Sequence, residues 1–250
     1  MKIYIFFDFV DGPWGGGNQF LKALRNQFIK MGCYEDNINN ADVILFNSHH
    51  RLEDIINLKQ NNKKYIFIHR LDGPVQIVRG FDEGIDKKIF EINELVADGT
   101  IFQSNWIKNE SEKIGLKINK NNKVIINAPD NSIFYKSDIR YNKEHEKLRL
   151  IATSWSGNIR KGFDVYEWLD NNLDFNKYAM TFVGNSPVKF KNIIHKEPMD
   201  SFNLALELKK HHVYITASKF EPCSNALIEA MHCGLPAIGY KNGGNSDIIR

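Results

Sequence analysis

Cysteine is scarce: Cys33, Cys223 and Cys233 are the only three in 250 residues. An odd number at these spacings excludes a disulfide framework, and no paired Cys or Cys/His pattern is present to hold zinc. Reduced thiols and a cytoplasmic protein are the expectation. Long apolar runs are missing too. The opening MKIYIFFDFV is interrupted by Asp8, is far shorter than a membrane span and is followed by no small-residue cleavage site, so it reads as a buried first strand. Charge of one sign is not in excess: 33 Lys and Arg face 30 Asp and Glu, a net of +3. That balance gives no ground for a nucleic-acid partner and does not oppose an anionic ligand. No repeat of fixed period occurs, and the clusters KQNNKK and NKNNK read as solvated loops. The aspartates show no grouping of the kind that binds a divalent ion, so no metal site is expected.

What the sequence does have is rhythm. Strand-length runs rich in Ile, Val, Phe and Tyr recur from end to end: KIYIFF, ADVILFNS, KYIFIH, GTIFQS, KVIIN, LRLIATS, YAMTFVG, HVYITAS and LPAIGY. Helix-length amphipathic segments such as GNQFLKALRNQFIKMG lie between most of them. This alternation predicts an α/β protein with parallel sheets. The charge-dense run from Asp130 to Lys147 breaks it, and it restarts at Leu148. Two Rossmann-like domains facing across a cleft, 1–147 and 148–250, therefore fit better than one nine-stranded sheet.

Three loops carry candidate chemistry. In DGPWGGGNQF, Gly15, Gly16 and Gly17 would let the backbone approach a ligand beside a helix N-terminus, where a phosphate is favoured; a plain tight turn would use the same glycines. In IFIHRLDGP a strand is read to end at His69, a position from which the ring would reach the ligand crevice, although a lone His is often structural. In SWSGNIRKGFD, Arg160 and Lys161 sit between a strand and a helix, placed either to clamp a diphosphate or as a solvated basic turn.

The stretch SKFEPCSNALIEAMHCGLPAIGYKNGG is the most informative. Ser224 reads as an N-cap, NALIEAMHC as a helix, Gly234 as its stop and Pro236 as a guard against continuation. Glu221 then precedes the helix and Glu229 lies inside it. The N–H groups of Asn225 and Ala226 make an anion site, with Glu229 about one turn, roughly 5–6 Å, further on. That step suits a nucleotide's diphosphate and ribose, with Glu221 free to hold sugar hydroxyls. A solvated glutamate on a surface helix is the bland alternative.

With its Glu, seven residues, Glu pattern followed by Gly-x-Pro and Gly-Gly, this stretch resembles family 4 glycosyltransferases, retaining enzymes of the GT-B architecture. IRKGFD, TFVGNSP and NAPDNSIF fall at matching places. The resemblance implies a sugar moved from a UDP- or GDP-linked donor to a hydroxyl of a saccharide or lipid-linked acceptor, by metal-independent front-face substitution. No cofactor beyond the nucleotide-sugar co-substrate is implied, and the setting is cytoplasmic, with peripheral membrane association compatible. It implies that Glu221 contacts the donor sugar, that Asn225 and Ala226 bind phosphate through their backbone, and that Glu229 takes the ribose. Lys161 with Arg160 would neutralise the diphosphate, and Gly16 and Gly17 would approach it from the opposite domain. Ser156, Gly184, Cys223 and Ser224 complete the donor-binding set, and His69 falls near the reacting carbon; His69, Lys161 and Glu221 are the implied catalytic residues. Acceptor contacts fall to GPVQIVRGFDEG and SNWIKN in the first domain. Two departures stand out. Ser156 occupies the place of a common arginine, and the second domain reads as truncated, since the family usually continues beyond the loop after KNGG. A non-catalytic nucleotide-sugar-binding protein or partner subunit is the alternative, with a sugar-nucleotide epimerase behind it.

Overall fold

The computed structural model describes residues 1–12, 14–61, 64–136 and 147–249. Asn62 and Lys63 of KQNNKK, residues 137–146 of the charged run and Arg250 lie outside the described residues. Two compact units form: unit 1 is Met1–Phe9 with Leu21–Ile126, and unit 2 is Val10–Phe20 with Asn127–Arg250. Each contains a five-stranded sheet, parallel throughout. The chain is therefore the two-sheet α/β protein that the alternating runs predict.

The sheet of unit 1 takes β1 (Ile3–Phe6), β2 (Val43–Asn47), β3 (Ile66–Leu71), β4 (Gly99–Phe102) and β5 (Asn122–Val124) in sequential order. Strand β2, VILFN, is buried at every position, as a central parallel strand covered on both faces should be. Between the strands run α1 (Gly16–Lys30), α2 (Leu52–Asn61), α3 (Val75–Arg79), α4 (Ile85–Val96) and α5 (Asn105–Lys113). Phe6, Ile44, Phe46, Ile55 and Phe67 form one core cluster, and Leu71, Ile89, Phe102 and Ile107 belong to another. Burying side chains of this size contributes roughly 1.5–3 kcal/mol each.

Unit 2 holds β6 (Leu148–Ser154), β7 (Tyr178–Gly184), β8 (Ile194–Lys196), β9 (Val213–Thr216) and β10 (Ala237–Gly239), in the order β10-β9-β6-β7-β8. Its helices are α6 (Phe163–Asn172), α7 (Ser201–Leu208), α8 (Asn225–His232) and α9 (Asn245–Ile248). The chain runs outward from β6 to β8, then returns to the other side of β6 with β9. That reversal is a topological switch point, where neighbouring connections leave in opposite directions and open a crevice beyond the strands' carboxyl ends. The named strands of unit 1 run in sequential order, with one parallel bridge from Tyr34 to Ile3 of β1.

Candidate functional site

Helix α8 begins as its residues dictate. Ser224 is extended, and its hydroxyl accepts from the Leu227 N–H at 3.2 Å. Gly234, at φ +89°, follows the helix, and the Leu235 N–H closes back on Ala230. The N–H groups of Asn225 and Ala226 belong to the first turn, where helical partners are missing. The Asn225 side chain donates to the Gly16 carbonyl at 2.7 Å and accepts from Asn127 Nδ2 at 2.7 Å. A Cβ on Gly16 would lie 2.8 Å from Asn225 Nδ2 and would displace the Asn225 amide. The glycine-rich loop is tied further by its own helix: Asn18 exchanges two hydrogen bonds with the Val10 backbone, and Gln19 donates to the Gly12 carbonyl.

A half-open cavity lies at the switch point of unit 2. The ends of β6 and β7 supply Thr153, Ser154, Val183 and Gly184, α8 supplies Asn225, Ala226 and Glu229, and the glycine-rich segment supplies Trp14, Gly15, Gly16 and Gln19. Trp155, Pro198, Met199, Ser201 and Leu204 complete the wall. Glu229 is half-buried, and burial alone pushes its carboxyl up to about 8. Beside it in the sheet Tyr214 hydrogen-bonds Thr153 Oγ1 at 3.0 Å, and burial raises that phenol, with the nearby Glu229 and Glu221 charges adding to the effect. A carboxyl withdrawn from water and lacking a cationic neighbour is costly unless a ligand supplies polar partners.

The cavity thus brings together Gly16, Gly184, Asn225, Ala226 and Glu229 of the residues singled out in the sequence. Gly184 has a second reason to be glycine, since a Cβ there would lie 1.9 Å from the Ser154 carbonyl oxygen. Gly17, Ser156, Arg160, Lys161, Glu221, Cys223 and Ser224 are not part of this wall. Lys161, at the end of a 3-10 turn (Ile159–Lys161), instead pairs with Glu221 at 2.5 Å. Arg160 lies over the Phe220 ring, 5.2 Å from its centroid. The Glu221 carbonyl accepts from the Gly244 N–H at 2.7 Å. Ser156 accepts through its hydroxyl from the Asn158 N–H and through its carbonyl from Ser154 Oγ. Cys223 is buried, and Ser224 is the cap.

His69 is elsewhere. Its strand runs two residues past it, to Leu71, so the ring is not carried on a strand end. It is fully buried in unit 1, stacked on Phe46 with ring centroids 4.2 Å apart. Nε2–H donates to the Ser48 carbonyl at 2.9 Å and Nδ1 accepts from Asn93 at 3.1 Å. Burial lowers its pKa to about 4. With both nitrogens engaged it has no hydrogen-bonding capacity left, which corrects the reading of an accessible ring at the strand's end.

The sequence reading passed over Trp14, Trp155 and the apolar residues Val183, Pro198, Met199 and Leu204. They are scattered over five segments and meet only because β6 and β7 end side by side. Their signal was the pair of exposed tryptophans beside glycine- and serine-rich turns. Among the described residues no group of three or more His, Cys, Asp or Glu is arranged to hold a metal ion, and no helix is long and apolar enough to cross a membrane.

Two parallel sheets of this kind define the GT-B class, and solved structures of that class match. HepE from Anabaena in complex with UDP and glucose superposes with a TM-score of 0.75 at 13% identity, over 100% of this chain and 83% of that one. The lipopolysaccharide outer core galactosyltransferase WaaB gives 0.66 at 13%, over 100% and 84%. Sucrose-phosphate synthase from Thermosynechococcus elongatus gives 0.64 at 17%, over 90% of this chain, which spans 60% of that one. At these identities the likeness is one of fold. In sequence, residues 176–250 match the glycosyl transferases group 1 family, and the resemblance carried by EPCSNALIEAMHCGLPAIGYKNGG is borne out over that segment. No curated protein sequence matches the chain.

Proposed function

We propose that this protein is a retaining glycosyltransferase that moves a sugar from a nucleoside-diphosphate donor to a hydroxyl of a saccharide or lipid-linked acceptor. The observation that carries the reading is the cavity at the switch point of unit 2, lined by the N-terminus of α8 and by the half-buried Glu229. The Asn225 and Ala226 N–H groups hold the diphosphate, and Glu229 takes the ribose hydroxyls. UDP is the favoured nucleotide, in keeping with the UDP and UDP-glucose bound by HepE. Unit 2 carries the donor and unit 1 the acceptor.

In the reaction, the bond from the sugar's anomeric carbon to the diphosphate oxygen breaks while the acceptor oxygen attacks from the same face. The acceptor proton passes to the departing phosphate oxygen. Lys161 leaves Glu221 to neutralise the leaving group, and Glu221 turns to the sugar hydroxyls. The phosphate is both leaving group and base, so no acid/base dyad and no metal enter the scheme. We assign the enzyme to polysaccharide biosynthesis in the cytoplasm, peripheral to the membrane where its acceptor is lipid-linked. The reduced state of its three cysteines supports that setting.

A thermal-shift panel of UDP, GDP and their sugar conjugates tests donor binding, because a ligand of the folded state raises stability. A radiolabelled donor assay then tests chemistry. Ser156 in the arginine's place and the Lys161–Glu221 pair favour a second reading, a non-catalytic binder. Tight nucleotide binding with neither transfer nor slow donor hydrolysis would select it.

A further inference from the structure

Two tryptophans converge on the cavity from different segments of unit 2. Trp14 is 56% exposed and Trp155 43% exposed, and both line the cavity wall. Their ring centroids are 6.2 Å apart with the planes tilted by 51°. Trp168 is as exposed, but it stands alone on α6, and a single exposed apolar side chain needs no explanation. A pair converging on one cavity does, because indoles carry the largest apolar surface of any side chain and are normally covered.

The backbones of both residues are held by hydrogen bonds, and the Trp14 N–H donates to the Gly12 carbonyl at 2.9 Å. The Trp155 carbonyl accepts from Asn185 Nδ2 at 2.6 Å, and the residue directly follows β6. Trp14 lies between Gly12 at φ +84° and Gly15 at φ +36°, and a side chain at either glycine would meet nothing within 4 Å. Those glycines are therefore required by backbone conformation and not by crowding.

We propose that Trp14 and Trp155 form an aromatic clamp for the heterocyclic base of the nucleotide. The assignment rests on the nucleotide-sugar reading above, with Glu229 and the start of α8 taking the ribose and phosphates on the same wall. A base is flat, has two π faces and stacks on indole whatever its hydrogen-bonding edge. The remaining apolar wall of Pro198, Met199 and Leu204 suits a ring more than a phosphate.

Tryptophan fluorescence tests this on the intact protein, with UDP, GDP, uridine, pyrophosphate and methyl α-glucoside as probes. UDP, GDP and uridine should quench emission; pyrophosphate and the glucoside should not. The quench should shrink in Trp14→Phe and in Trp155→Phe, which separates these indoles from Trp106 and Trp168. Trp155→Ala should weaken UDP about tenfold or more while leaving pyrophosphate affinity at the parent value, and Trp14→Ala should do the same less strongly. Phenylalanine should restore most of the affinity. Circular dichroism and melting of the alanine variants should match the parent, since both side chains are half out of the core. Quenching by the glucoside without uridine would overturn the assignment in favour of the sugar. If UDP bound the parent and both alanine variants alike, the clamp alone would fall; if no nucleotide bound the parent, the proposed function would fall with it.

Discussion

In unit 1 a side-chain network closes on Asp72 past the strand ends, whereas in unit 2 the ends of β6 and β7 line a cavity. Asp72, just past β3, receives Arg70 Nη1, Asn47 Nδ2 and Gln103 Nε2, from three neighbouring strands and their ends. Below it His69, Asn93 and Thr100 close a second network. A sequential strand order sets equivalent ends in a row, where side chains from adjacent strands can meet. The reversed order of unit 2 separates the connections at β6, and Glu229 is left facing the gap with burial as the only influence on its charge. Both units are parallel sheets. In unit 2 the switch point at β6 leaves the strand ends open to a ligand.

That contrast breaks most visibly at Asp72. Asp72→Ala should destabilise the protein by about 3–5 kcal/mol, because it leaves the buried Arg70 guanidinium without its carboxylate. Urea unfolding checks the loss, and nucleotide affinity measured below the transition should stay at the parent value. A loss under about 1 kcal/mol would mean that the network is not what holds this end of unit 1 together.

His69 sharpens the same comparison through pH. Its folded-state pKa of about 4 lies below the ordinary 6.5, so the unfolded chain binds the proton more tightly. Unit 1 therefore has this contribution in full above pH 6.5 and loses it as pH falls toward 4, by up to about 3 kcal/mol. Protection factors of the β2 and β3 amides, corrected for the intrinsic exchange rate at each pH, should fall on acidification ahead of those in β6. His69→Gln should remove that acid slope whatever its stability at neutral pH.

Much of this architecture was legible in the residues. LRLIATS and YAMTFVG coincide with β6 and β7 residue for residue, and α8 starts and stops where Ser224 and Gly234 say it should. Strand β8 was not legible: Ile194–Lys196 is three residues long and mostly exposed, with no apolar run to announce it. For the site, Glu229 and the start of α8 could be read because a helix fixes their spacing. The cavity's tryptophans could not, since their meeting depends on which strands are neighbours. His69 misled for a related reason: the charged residues after it resemble a loop, yet Arg70 stays in the strand because Asn47 and Asp72 bind its guanidinium.

Glu229 should give the opposite pH response in unit 2. Its folded pKa of about 8 exceeds the ordinary 4.5, so the folded state holds the proton more tightly. The contribution is full below pH 4.5 and is lost as pH rises through 8. With the side chain half-buried, the effect is about 1–2 kcal/mol after allowance for solvent screening. Glu229→Gln should flatten this alkaline loss and melt above the parent at pH 9, while the two proteins should converge near pH 4. Differential scanning calorimetry across that range reads both.

The smallest effect tests whether the open end of unit 2 divides its work between two carboxylates. Glu229 lines the cavity, so Glu229→Gln should weaken UDP and UDP-sugar alike, by about 1 kcal/mol, since it changes a contact made before and during reaction. Glu221 does not line it and is held by Lys161. Glu221→Gln should leave UDP affinity unchanged or slightly raised, because Lys161 is released toward the diphosphate, while transfer slows through misplacement of the sugar. Calorimetry with UDP, set beside steady-state rates for the intact donor, separates the two. Equal losses of UDP affinity from both substitutions would contradict the division, and it would then be the ion pair, rather than the cavity, that organises this end of the sheet.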